Sequence, residues 1–94
     1  MSDSAILEAD ERGRRCPVPV ISLGRMASQA SPGATIAVLA DDPAAATDIP
    51  AWCRMRKAAL LRVEELADEL GGQRYVVRLA NAGADASNAG SSAK

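Results

Sequence analysis

The sequence predicts a single small α/β domain, and three observations carry that reading. The run "ATIAVLADD" (residues 34–42) is β-branched and nearly all apolar, as a strand buried on both faces would be. The stretch before it, "CPVPVISLGRMASQASPG", spaces Val20, Leu23, Ala27 and Ala30 as one face of a helix. A later run, "QRYVVRLA" (residues 73–80), alternates as a strand and follows the turn signal Gly71-Gly72.

In chain order, "AILEAD" (residues 5–10) reads as a first strand ending at the Arg12-Gly13 turn. Pro17 and Pro19 then open a helix, because the first turn's N–H groups have no intrahelical partner for proline to remove. Cys16 therefore sits at or just before that helix N-terminus. "SPG" closes the helix, and the strand at 34–42 completes a βαβ unit with parallel strands. Beyond it, Asp42 before Pro43 and Asp48 before Pro50 offer two starts for a helix ending near Lys57. The segment "AALLRVEELADELGG" is ambiguous: Val63, Leu66, Ala67 and Leu70 share a helical face.

Ninety-four residues make one domain. Residues 1–4 and 81–94 read as tails, since "NAGADASNAGSSAK" has no apolar periodicity and cannot offset the entropy of ordering. The body at residues 5–80 buries only about 60–65% of its unfolded surface, too little for a deep substrate cavity. A net charge of -1 with one Trp, one Tyr and no Phe argues against direct nucleic-acid binding. No apolar run reaches membrane-spanning length and the N-terminus is acidic, so a cytoplasmic protein is expected. There, two cysteines do not form a structural disulfide, and neither a close pair nor a histidine suggests a metal.

The absence of histidine bears most on "DERGRRCPVP". It excludes a Cys–His dyad, so a reactive Cys16 must be activated by its setting. Three features point to a lowered thiol pKa: the helix N-terminus, the positive charge of Arg12, Arg14 and Arg15, and the exposure expected of an arginine-rich turn. An ordinary thiol is about 3% ionised at neutral pH, and a fall of one to two units raises that to roughly 25–75%. Such a group suits thiol-to-thiol chemistry, which needs no general base. The alternative is that Cys16 merely starts a helix.

"LEADERGRRCPVPV" resembles the signature of the TusA/SirA family of small sulfur carriers, in which an acidic residue and a glycine precede Cys-Pro-x-Pro at the first helix. "PGATIAVLADDPAAATDIPAWC" is similar to the family's strand, its Asp-Asp-Pro segment and its Asp-Ile-Pro approach to helix two, and "RYVVRL" to its closing strand. The resemblance spans residues 5–80. It implies a βαβαββ two-layer sandwich, a mixed four-stranded sheet with two helices on one face. It also implies a third strand near residues 60–66, where periodicity alone reads helix; otherwise residues 74–79 would lack a hairpin partner.

By that resemblance Cys16 accepts a persulfide sulfur from a cysteine desulfurase or another sulfurtransferase and passes it to a downstream acceptor protein. The routes implied are a tRNA 2-thiolation relay, sulfur oxidation or molybdenum-cofactor maturation. Supporting positions are Asp10, Arg12, Gly13, Arg15, Pro17, Pro19 and Arg25, the last matching a basic position that would face an acidic partner. No cofactor is implied beyond the covalent persulfide on Cys16, no metal, and a monomer is expected. One departure is Arg14, which follows Gly13 where the family carries an apolar residue, a change that bears on partner choice. The competing function is a regulatory protein-interaction module of the same fold. Cys53 and Trp52 are expected in the core, and Asp41 and Asp42 as helix-capping residues.

Overall fold

The structure, a computed structural model, describes residue 5 and residues 7–80. The expected tails at 1–4 and 81–94 lie outside the described residues. The elements run β1 (Leu7–Asp10), α1 (Val18–Gln29), β2 (Thr35–Ala40), α2 (Ala45–Arg56), β3 (Ala59–Glu65) and β4 (Gln73–Arg78). The sheet order is β1-β2-β4-β3. β1 and β2 are parallel, as the βαβ reading requires, while β4 is antiparallel to both β2 and β3.

The core forms where the helical and strand periods meet. α1 buries Pro19, Leu23 and Met26, and α2 buries Ala45, Ile49, Trp52 and Cys53, each set recurring every three or four residues. These pack with Ile36, Val38 and Ala40 of β2 and with Tyr75 and Val77 of β4 in one cluster. Alternation sends Ala37, Leu39 and Val76 to the opposite face, where they are buried as well. That face carries Arg74, whose Nε donates to Glu8 at 2.7 Å and whose Nη1 donates to Glu64 at 3.0 Å. Long arginine stems of this kind cover apolar surface while their charged ends stay wet.

Residues 58–72 are where tertiary pairing overrides local propensity. β3 pairs with β4 from Ala59↔Arg78 to Glu65↔Gln73, with a register shift between Leu60 and Arg62. A helix there would leave one side of β4 without hydrogen-bonding partners, so the strand implied by the resemblance forms and the helical periodicity is not used. Of the two starts expected for α2, the earlier operates. Ala45 and Ala46 donate to the carbonyls of Asp42 and Pro43, and Pro50 lies inside the helix. Lys57 closes α2 in the left-handed region, at φ 57°.

Candidate functional site

Because β1 and β2 are parallel, the loops at their carboxyl ends meet at one edge of the sheet, and both loops lead into helix N-termini. The first carries Cys16 and the second carries Asp41 and Asp42. Gly13, at φ +87°, turns the first loop back, and its N–H points to the Asp41 carboxylate at 3.0 and 3.1 Å. Asp42 Oδ2 accepts from the Cys16 N–H at 2.8 Å while its Oδ1 accepts from Ala44 N at 2.9 Å. Asp42 thus closes the turn before α2 and ties Cys16 to it. The N-cap of α2 is Ala44, without a side-chain cap, and Asp41 holds Gly13, so the helix capping expected of Asp41 and Asp42 is not what they do. The N–H groups of Ala44, first, and Cys16 hold the Asp42 carboxyl below the usual carboxylate range.

Cys16 immediately precedes Pro17, the N-cap of α1, through a cis peptide bond. It is partly buried and packs against the core cluster, with Pro17 exposed and Pro19 buried beside it. This arrangement runs against the expected thiol activation. Burial pushes the Cys16 thiol up, and the charges of Asp48 and Asp42, with a hydrogen bond to Asp48, push it further in the same direction. The neighbouring arginines do not compensate, because each is directed elsewhere. Arg12 donates to Asp10, to Asp68 at 2.8 and 2.9 Å and to the Gly71 carbonyl at 3.2 Å. Arg14 pairs with Glu11 at 3.3 Å, and Arg15, exposed, acts on Asp42.

The remaining expected positions separate by role. Asp10 and Arg12 form a bracket joining the end of β1 to the β3–β4 loop through Asp68. Arg25 is exposed on α1, well past its first turn. Cys53 is buried in the core, where desolvation raises its pKa against a smaller opposing effect of Arg54. Trp52 is buried too, with the Arg56 guanidinium 5.2 Å from its ring centre.

Sequence reasoning missed Asp48 as a neighbour of Cys16. The signal was available in the topology, since parallel β1 and β2 bring both helix starts together. Asp48 also lines a small groove with Pro17, Val20, Ala51, Trp52 and Met55, about 280 Å³ in volume. Among the described residues, no three His, Cys, Asp or Glu side chains are grouped as a metal site, and no helix is long and apolar enough to cross a membrane.

A four-stranded mixed sheet with two helices, presenting one thiol where two helix N-termini converge, defines a small α+β thiol-presenting domain. The chain matches the model of the family Sulfurtransferase TusA over residues 8–79 and belongs to that family. Its fold is similar to the crystal structure of a SirA-like protein from Desulfitobacterium hafniense, with a TM-score of 0.59 and 22% sequence identity, covering 81% of this chain and 99% of that one. Family membership supports a sulfur-transfer carrier role in general terms.

Proposed function

We propose that Cys16 is the sulfur-bearing residue of a persulfide carrier, loaded by a cysteine desulfurase or another sulfurtransferase and unloaded onto a second protein. The observation that carries this reading is that the family match includes the Cys-Pro-Val-Pro segment, while Cys53, the other cysteine, is sealed in the core. In loading, Cys16 Sγ attacks the outer sulfur of a donor persulfide. The Sγ–S bond forms, the donor's S–S bond breaks, and the donor thiolate leaves and takes up the proton that Cys16 gives up. The sulfur changes carriers without any external oxidant or reductant.

A tRNA 2-thiolation relay, sulfur oxidation and molybdenum-cofactor maturation are all compatible with this chemistry, and a reducing cytoplasm would keep Cys16 free for it. The apolar groove beside Cys16 supports brief protein docking rather than small-molecule turnover. Mass spectrometry after incubation with a cysteine desulfurase and cysteine tests the reading. The protein is expected to gain one sulfur atom, and Cys16→Ser to keep its fold and gain none. An unmodified wild-type protein, or a loaded Cys16→Ser variant, would refute the assignment; the first outcome would favour the interaction-module alternative.

A further inference from the structure

The groove between α1 and α2 has a charge polarity. Both helices begin at the Cys16 end, where Asp48 forms part of the wall and Asp42 is bonded to the Cys16 backbone. At the opposite end, where both helices finish, a second cleft of about 370 Å³ is bordered by Arg56 and Lys57. Trp52 and Met55 border both clefts, and Met55 stands 75% exposed. Together the two clefts make a channel along the helices, apolar with acid at the cysteine end and mixed in lining with base at the other.

We propose that this channel docks a segment of the sulfur-donor protein that carries a lysine or arginine at the Cys16 end, an apolar side chain over Met55 and an acidic side chain at the Arg56 and Lys57 end, and that the docked cation pairs with Asp48 beside Cys16. The proposal rests on Cys16 as the sulfur-bearing residue. The charge order selects the occupant: a nucleic-acid strand would be repelled at the acidic end, whereas a protein segment can match both ends. The groups facing Cys16 are Asp48 from α2, Asp42 from the loop before α2 and Tyr75 from β4, with Arg15 acting on Asp42. None of these supplies a positive charge directly to the thiol.

The chemistry identifies the donor rather than the acceptor as the partner that must bring the cation. In loading, Cys16 is the nucleophile and has to ionise. In unloading, Cys16 carries the sulfur and the acceptor's group attacks. A thiol held protonated in the free protein is protected from stray electrophiles and becomes reactive only when the donor is seated.

Two measurements on the full chain in a Cys53→Ser background test this. The first compares rates of Cys16 modification by 2-(trimethylammonium)ethyl methanethiosulfonate and by 2-sulfonatoethyl methanethiosulfonate. The cationic reagent is expected to be preferred, with the preference falling at least about fivefold in Asp48→Asn and shrinking at high salt. A preference that Asp48→Asn leaves unchanged would overturn the proposal. The second compares loading by a cysteine desulfurase with loading by inorganic polysulfide, which needs no docking. The desulfurase-to-polysulfide ratio is expected to fall about tenfold or more in Asp48→Lys and in Arg56→Glu/Lys57→Glu. An unaltered ratio in both, with folding verified by circular dichroism, would overturn it. Failure of both loading routes in the Cys53→Ser protein itself would instead strike the sulfur-carrier reading, while the thiosulfonate rates would still judge the acidic end of the channel.

Discussion

Gly71 and Gly72 form a matched pair that separates backbone strain from steric overlap, and the overlap bears on the Cys16 site. Gly72 has φ +83°, and a Cβ built there would lie 2.8 Å from the Ala40 carbonyl oxygen and 2.9 Å from Asp41 Cβ. These atoms belong to the end of β2 and the start of its loop, so they cannot swing aside as a side-chain tip would. Gly71 has φ +67° and open space around its missing Cβ. Gly71→Ala should therefore carry only the left-handed backbone cost, about 1–2 kcal/mol. Gly72→Ala should carry a similar cost plus about 1–3 kcal/mol of overpacking. In a domain of this size each kcal/mol lowers the Tm by about 4–8 °C, so Gly72→Ala should melt below Gly71→Ala by at least about 4 °C. Thermal unfolding followed by circular dichroism measures the difference. Asp41 also holds the Gly13 N–H, so Gly72→Ala should alter the rate of Cys16 alkylation while Gly71→Ala should not. Equal melting temperatures would refute the close approach, and equal alkylation rates would refute its link to the cysteine loop.

Three further outcomes are expected. Cys53→Ser should retain sulfur loading, because Cys53 is buried away from solvent; loss of loading with an intact circular dichroism spectrum would show that the thiols act as a pair. In that variant, iodoacetamide alkylation of Cys16 should keep rising with pH beyond the ordinary thiol value of about 8.5. A plateau below that value would contradict the raised pKa. The carboxyls of Asp10, Asp42, Glu64 and Asp68 are lowered by their hydrogen-bonding partners, so the stability they contribute is present above their unfolded values and lost as pH falls below about 4. The urea midpoint should drop between pH 5 and pH 3, and added salt should reduce the drop, because these groups are exposed enough to be screened.

The fold was legible where one element dominates its own surroundings. Thr35–Ala40 is buried along its whole length and reads as a strand from composition alone, and α1 reads from the spacing of Val20, Leu23, Ala27 and Ala30, although the residues it buries are Pro19, Leu23 and Met26. Legibility failed where a neighbour decides. In β3, Leu60, Val63 and Glu64 face Val77, Tyr75 and Arg74, and nothing in their local sequence outweighs the helical spacing of Val63, Leu66, Ala67 and Leu70. Only the need of β4 for a partner does, and that is a property of the whole sheet. Pro50 misleads in the opposite way, since it suggests a helix start while lying inside a helix already begun at Ala45.

At the site, the cysteine was legible and its electrostatics were not. Arg12, Arg14 and Arg15 are near Cys16 along the chain, but a pKa responds to charge in space. Gly13 reverses the loop between them, and Arg12 ends in a bracket with Asp10 and Asp68. The groups that act on the thiol come from the second helix start: Asp42, 26 positions away and bonded to the Cys16 N–H, and Asp48 beyond it. The parallel strands bring the two loops together, so the arrangement that presents the cysteine also surrounds it with carboxylates. A chain without histidine that kept its thiol ionised would react with any electrophile it met. With Asp48 and Asp42 beside the thiol, the fold instead favours its neutral form, and a positive charge brought close to Asp48 is what would lower its pKa.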